Sequence, residues 1–205
     1  MPGIVHIVDE DASFQTATGY LLNEAGYEVA SYPSAEHLLD HLPNEDVRGC
    51  ILLKVRMPGL SGPDLQERLS DLGWAVPIIF LTRYLDIPTT VRTIKAGALD
   101  FLIKPVSSDQ LLQAVGWAVA HHDAMRRLKV TRSRIATLTP REREVFELVI
   151  RGQTNKHAAR SLGCTERTIK AHRHRVMEKM QVRSLPELVS LAERVGVTSG
   201  IGHSA

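Results

Sequence analysis

Several charged and hydroxyl side chains in the first half of the chain directly follow short apolar runs of the kind that form buried strands. They come from four such runs, and they are Asp9, Glu10, Asp11, Lys54, Thr82 and Lys104. Because the carboxyl ends of parallel strands meet at one edge of a sheet, we expect these side chains to converge on one crevice. Ligands bind at that edge in open α/β sheets, so the spacing predicts a functional site made of carboxylates, ammonium groups and a hydroxyl.

The alternation of apolar runs with helical patterns predicts the fold class. Apolar residues recur at helical spacing between the runs, and glycines or prolines mark many of the ends. The predicted strands are 4–8, 27–31, 50–53, 77–81 and 99–103, and the predicted helices are 13–25, 34–42, 64–72 and 88–96. Strands that are apolar throughout are typical of parallel sheets buried on both faces. The first part is therefore predicted to be an α/β domain with a doubly wound, five-stranded parallel sheet.

The rest of the chain is predicted to be helical. Residues 109–137 contain no proline and carry apolar residues at helical spacing, which favours a long helical linker. Thr139, Pro140 and Glu142 form a capping-box sequence, and further caps predict an all-α domain of four helices. Two of these helices flank a turn at Gly163, which is the helix-turn-helix arrangement. The predicted domains are residues 1–121 and 138–205, joined by a linker of residues 122–137.

Charge is distributed unequally between the two parts. Residues 1–125 contain 8 Lys and Arg against 16 Asp and Glu, a balance of −8, whereas residues 126–205 contain 17 against 7, a balance of +10. A basic block of this size indicates nucleic-acid binding. In the helix predicted to end near Met180, Ile169, Val176 and Met180 share one face and the opposite face is basic. Such a helix fits the major groove of DNA.

Composition disfavours several other classes of protein. The apolar runs are too short to cross a bilayer, and an acidic residue as early as Asp9 is unlike a secretory signal peptide. Cys50 and Cys164 are too few and too far apart for a disulfide framework or a metal site. The sequence shows no spacing typical of a Ser–His–Asp triad or a phosphate-binding glycine loop. We therefore expect a soluble cytoplasmic protein without a membrane partner, a bound metal or an enzymatic activity.

The first part resembles a response-regulator receiver domain from residue 3 to about residue 120. The resemblance rests on the acidic residues after the first run, the segment 57–62, Thr82, and Lys104 followed by Pro105. It implies a CheY-like, flavodoxin-like fold in which an acidic pair binds Mg²⁺ and an aspartate ending the third strand accepts a phosphoryl group. The implied residues are Asp9 and Glu10 for the acidic pair, Thr82 for the switch hydroxyl, Phe101 for the switch aromatic side chain and Lys104 for phosphate contact. The resemblance also implies a cis peptide bond before Pro105.

The chain departs from the receiver pattern at Lys54, which stands where the family has its phosphoacceptor aspartate. An ammonium group cannot form an acyl phosphate or ligate Mg²⁺. We therefore expect Lys54 to be a fixed cation beside Asp9, Glu10 and Asp11, with Mg²⁺ binding lost or weak, which disfavours a sensor histidine kinase as partner. Arg83 replaces a usually small residue and is expected to fill the phosphoryl space. Two alternatives stay open: Lys54 extends into water beside hydrated acids, or it is an engineered change in a conventional regulator.

The second part closely resembles the LuxR-type, or NarL/FixJ-class, helix-turn-helix from Leu138 to about Val195. The matching segments are 138–145, Asn155-Lys156 and 168–173. The resemblance implies binding to double-stranded DNA, with base-facing side chains on the third helix and backbone contacts beside it. The residues expected to bind DNA are Asn155, Lys156, Thr165, Arg167, Thr168, Lys170, Ala171, Arg173 and His174. The last helix is the family's dimer surface, which makes Leu188 and Leu191 candidates for a symmetric contact.

Together these features predict a sequence-specific transcription regulator that acts as a homodimer and whose receiver is not phosphorylated in the usual way. RNA polymerase is a further candidate partner. One alternative is that the receiver serves as a protein-interaction module while the second domain supplies localisation on DNA. Another is phosphotransfer through Asp9 or Asp11, which is disfavoured because neither residue ends the third strand.

Overall fold

The computed structural model describes residues 3–42, 44–84 and 86–197. The chain divides into two compact units, Met1–Met125 and Arg126–Ala205. The first unit contains one sheet of five parallel strands in the order β2-β1-β3-β4-β5. The strands are β1 Ile4–Val8, β2 Glu28–Tyr32, β3 Gly49–Lys54, β4 Ile78–Thr82 and β5 Asp100–Ile103. The predicted doubly wound, five-stranded parallel sheet is confirmed.

Helices connect successive strands and cover both faces of this sheet. They are α1 Ala12–Glu24, α2 Ala35–Asp40, α3 Gly62–Asp71 and α4 Ile87–Lys95, and α5 Ser108–Ala136 follows β5. Most ends lie within two residues of the prediction. Helix α3 begins at Gly62 rather than Asp64 because the Ser61 hydroxyl accepts the Asp64 N–H and Pro63 fits the first turn.

The sheet is buried on both faces, and β3 lies at its centre. The side chains of Cys50, Ile51, Leu52 and Leu53 are fully buried, and alternate ones belong to two different hydrophobic clusters. Two apolar faces explain why this strand has no alternation of polar and apolar residues. Burial also raises the pKa of the Cys50 thiol to about 12, so this cysteine is protonated at neutral pH.

The second unit contains four further helices after the end of α5. They are α6 Pro140–Ile150, α7 Asn155–Ser161, α8 Glu166–Met180 and α9 Leu185–Arg194. The capping box at Thr139 is confirmed, since its hydroxyl accepts the Glu142 N–H and the Glu142 carboxylate accepts the Thr139 N–H. The start of α9 has only half of a capping box: the Ser184 hydroxyl accepts the Glu187 N–H, but the Glu187 carboxylate accepts the N–H of Arg183.

The second unit has its own hydrophobic core, made by one face of each of its helices. Val145, Ile169, Val176 and Leu188 are each no more than 1% exposed within it. Among the described residues, no helix is both long enough and apolar enough to cross a membrane.

Candidate functional site

The register of the sheet brings the first candidate residues to one edge. Val8 of β1 pairs with Leu53 of β3. Asp9 and Lys54, the residues that directly follow this pair along each strand, therefore lie side by side. Gln15 on α1 fixes this edge, since its amide donates to the carbonyl oxygens of Asp9 (2.6 Å) and Tyr32 (2.9 Å). Gln15 was not predicted from the sequence. Its contacts depend on how α1 packs against the sheet, and one polar residue in an amphipathic helix gives no signal of that.

Lys54 forms ion pairs with two of the three predicted acids. Its Nζ lies 3.3 Å from Asp9 Oδ1 and donates a short hydrogen bond to Glu10 Oε1. The Lys54 side chain is 18% exposed, so it is turned into the crevice rather than extended into water. Partial burial opposes its charge, but the hydrogen bond that Lys54 donates to Glu10 and the charge of Asp9 outweigh that effect and raise the pKa of Lys54. Lys54 is therefore a fixed cation in this site.

Lys104 provides a second cation on the same carboxylate. Its Nζ lies 2.5 Å from Asp9 Oδ2 and 3.1 Å from the centre of the Phe14 ring, which gives it both an ion pair and a cation–π contact. Lys104 is more deeply buried than Lys54, and this burial lowers its pKa although Asp9 favours the charge. The predicted cis peptide bond before Pro105 is present. Phe14, like Gln15, was missed because only packing places it here.

Asp11 has a different role from the one predicted, because Lys54 does not pair with it. Its Oδ1 accepts the N–H groups of Ser13 and Phe14, which caps the start of α1. These hydrogen bonds lower the pKa of Asp11, and the bond from the Phe14 N–H has the largest effect. Arg83 Nη2 lies 3.4 Å from Asp11 Oδ2, and its side chain is mostly exposed. Arg83 therefore extends across the mouth of the crevice toward α1.

Thr82 and Phe101 lie near this edge of the sheet, but their contacts are with residues other than the acids. The Thr82 hydroxyl donates to the Tyr84 carbonyl at 2.9 Å and accepts the Tyr84 N–H, so it is bonded to its own loop. Phe101 packs against Phe80 with ring centres 6.1 Å apart. The structure thus brings together three acids and three cations whose formal charges cancel. These residues are Asp9, Glu10, Asp11, Lys54, Arg83 and Lys104.

The second candidate site is the exposed side of α8. Ile169, Val176 and Met180 are buried as predicted, and Thr165 caps the helix by accepting the Thr168 N–H at 3.2 Å. The opposite side is exposed to solvent. The exposed residues among those expected to bind DNA are Lys156, Thr165, Arg167, Thr168, Lys170, Ala171 and His174.

Two of the predicted DNA-contacting residues also contact each other. Arg173 Nη1 donates to Asn155 Oδ1 at 3.2 Å, which joins the start of α7 to the middle of α8. Both side chains are half-buried, and the bond orients the Arg173 guanidinium. Lys170 and Arg167 form no ion pair with any described carboxylate, so their charges face solvent.

Leu188, predicted as a dimer contact, is fully buried in the core of its own unit. It contacts the same cluster as Val145 and Val176 and has no surface left for a second copy. The prediction was wrong because helical spacing gives the apolar side of α9 without showing what covers it. Leu191 is half-exposed, so its role as a dimer contact stays a prediction.

A parallel α/β unit with a charged crevice beyond its strands, together with a helix-turn-helix unit, defines a two-part transcription regulator. Residues 5–116 match the family described as response regulator receiver domain. Residues 136–192 match the family described as bacterial regulatory proteins, luxR family. The chain belongs to the NarL/FixJ-class response regulators, which are DNA-binding transcription regulators rather than enzymes.

Similar proteins share both parts of the chain. Nodulation protein W of Bradyrhizobium diazoefficiens is 41% identical over 201 residues, which cover 96% of this chain and 88% of that protein. Transcriptional regulatory protein FixJ of the same species is 38% identical over 199 residues, covering 95% of this chain and 97% of that protein. The low-resolution structure of the response regulator StyR has a TM-score of 0.72 and 40% identity, covering 95% of this chain and all of that one.

Proposed function

We propose that this transcription regulator has a receiver that is not phosphorylated in the usual way, because Lys54 replaces the acceptor aspartate. The observation that carries the proposal is the position of Lys54 Nζ, which contacts both Asp9 and Glu10 at the end of β3. A phosphoacceptor needs a free carboxylate oxygen as nucleophile. The protonated amine of Lys54 has no lone pair, and its raised pKa keeps it protonated at neutral pH.

The donors at this edge do not fit Mg²⁺, the ion that the receiver family implies. Mg²⁺ prefers six oxygen ligands in near-octahedral geometry. Here both oxygens of Asp9 contact ammonium groups, those of Lys54 and Lys104, and Glu10 is bonded to Lys54 as well. Within the described residues, no cluster of three or more His, Cys, Asp or Glu could hold a metal ion. We therefore include weak or lost Mg²⁺ binding in the proposal.

The receiver is proposed to act without the chemical switch. Because Lys54, Arg83 and Lys104 already balance the three carboxylates, the crevice has no net charge that an incoming phosphoryl group would neutralise. The Thr82 hydroxyl, which is hydrogen-bonded to Tyr84 in its own loop, would stay in this position because no phosphoryl group forms at Lys54. A constant charge state in the receiver would make DNA binding independent of phosphate donors.

On the DNA side, we assign direct base contact to Lys170, Ala171 and His174, and backbone contact to Asn155, Lys156 and Arg173. The exposure of the first set and the Asn155–Arg173 bond support this division. The functional parts are proposed to be residues 1–121, the linker 122–137 and residues 138–205. A second copy of the chain would bind a paired half-site about one helical turn away. RNA polymerase remains a proposed further partner.

The experiment is an intact-mass measurement of the full chain after incubation with acetyl phosphate and Mg²⁺. We expect the unmodified mass alone. A conventional receiver from the same family, treated in parallel, shows that the reagent is active. Near-stoichiometric phosphorylation of any aspartate of this chain would refute the proposal, and peptide mapping would identify the residue.

A further inference from the structure

Four arginines surround a small groove on the second unit, between the last turns of α5 and helix α9. The groove has a volume of about 230 Å³. Its lining consists of Arg126, Arg127, Val130, Thr131, Arg134, Leu191 and Arg194. None of these residues is acidic, so the formal charge of the lining is strongly positive.

The clustering is only partly explained by helix stability. Cations near a helix C-terminus are favourable, and Arg134 does bind the end of α8, donating to the Met180 carbonyl at 3.2 Å. Residues 126–136, however, contain five Lys and Arg and no Asp or Glu. Arg126 lies far from the helix end at Ala136, and the dipole effect is confined to about the last turn. Because these cations repel one another, their clustering needs another explanation.

Two of the four guanidinium groups form no ion pair with any carboxylate that the structure describes. Arg126 Nε is buried and has no hydrogen-bond partner in the part of the chain that the structure describes. No described carboxylate forms an ion pair with Arg126 or Arg194, whereas Arg127 and Arg134 have other interactions. A guanidinium group without a carboxylate partner keeps its charge available to an anion in the groove.

We propose that this groove binds a compact phosphate-bearing anion through Arg126 and Arg194. The planar guanidinium group matches phosphate oxygens with two parallel hydrogen bonds, and Val130 and Leu191 add apolar side chains to the lining. The volume is below the roughly 300 Å³ at which pockets for drug-sized ligands begin, which favours a small ion over a large organic ligand.

The groove is separate from the proposed base-reading surface. Arg134 contacts the last residue of α8, whereas Arg167 and Lys170 lie near the first turns of this 15-residue helix. At 1.5 Å per residue, α8 is about 22 Å long. The site would therefore hold a free anion while the start of α8 contacts DNA. It does not depend on the absence of receiver phosphorylation.

The test is calorimetric titration of the full chain with inorganic pyrophosphate, in EDTA and at low ionic strength. We expect saturable binding that Arg126→Gln and Arg194→Gln each weaken by about tenfold, since each removes a charge-assisted contact. Arg132→Gln is the matched control, because Arg132 is exposed on the same helix but does not line the groove. It should leave the affinity unchanged. Circular dichroism and melting curves confirm that the variants fold.

Three results would overturn the proposal. The first is no saturable pyrophosphate binding by the folded wild-type chain. The second is an equal loss in Arg132→Gln, which would indicate general charge attraction. The third is a loss of affinity for random-sequence duplex DNA in Arg126→Gln as large as that in Lys156→Ala, with DNA displacing pyrophosphate, which would assign the arginines to the DNA backbone.

Discussion

The receiver crevice and the exposed face of α8 use similar basic side chains in opposite ways. In the crevice, Lys54 and Lys104 are partly or largely buried and both contact Asp9. On α8, Arg167 and Lys170 are exposed and pair with no described carboxylate. A cation whose charge is already balanced adds little attraction for an external anion, whereas an unpaired cation attracts one. Whether a basic side chain attracts an external anion therefore depends on whether a neighbouring element places an acid beside it.

This comparison predicts that exchanging Lys54 for aspartate restores ligand binding in the crevice. Lys54→Asp removes the cation from Asp9 and Glu10 and places a carboxylate at the end of β3, so we expect it to bind Mg²⁺ and to be phosphorylated by acetyl phosphate. The effect is all-or-none and is measured by intact mass. Lys54→Met, which removes the charge without adding an acceptor, is the control and should stay unmodified. If Lys54→Asp also stays unmodified, Lys54 is not the sole block, and Arg83→Ala should be combined with it.

Removing an unpaired cation from α8 is expected to cost DNA affinity. Lys170→Ala should weaken binding by about 1–3 kcal/mol on a duplex selected from a random library, because a base contact is lost. Fluorescence anisotropy measures both this duplex and a random-sequence one. The control is Lys95→Ala, an exposed lysine of the receiver, which should change neither. An equal loss on both duplexes would assign Lys170 to the DNA backbone instead.

The second unit also contains one cation that is paired as in the crevice. Lys179 Nζ lies 2.5 Å from Glu142 Oε2, and this bond, together with the Thr139 N–H, lowers the pKa of Glu142 to about 2. Glu142→Gln should lower the free energy of unfolding by about 1–2 kcal/mol, measured by urea denaturation. Glu144→Gln, which disrupts only an exposed pair with Arg141, should cost less than about 0.5 kcal/mol.

The same pair predicts a dependence of stability on pH. The pKa of Glu142 is lower in the folded chain than its ordinary value of 4.5, so its contribution is complete above pH 4.5. It should be lost as the pH falls from 4.5 toward 2. Urea denaturation at several pH values checks this, and Glu142→Gln should flatten that part of the profile. An unchanged profile in the variant would contradict the assignment.

The smallest expected effect is on a proposed backbone contact. Lys156→Ala should weaken binding to all duplexes by a similar factor and should reduce the slope of log affinity against log salt by about 1, because one fewer counterion is released. Anisotropy titrations at several salt concentrations measure the slope. A change confined to the selected duplex would show that Lys156 reads a base.

Several features could be predicted from local sequence alone. The apolar runs predicted five strands, and the capping box at Thr139 predicted the start of α6. The contacts of α1 could not be predicted, since Phe14 and Gln15 reach the crevice only through the packing of α1 against the sheet. Leu188 shows the same limit: its helical face was predicted, but the burial of that face was not.

The sequence by itself determined the two kinds of unit, their opposite charges and the presence of a lysine after the third strand, because composition and periodicity are local properties of the chain. The tertiary structure alone decided which charges are balanced. Asp9 meets Lys104 across 95 residues of sequence, and Asp11 meets Arg83 across 72 residues. Ion pairing depends on distances of a few ångströms between separate elements, and only the folded sheet fixes those distances.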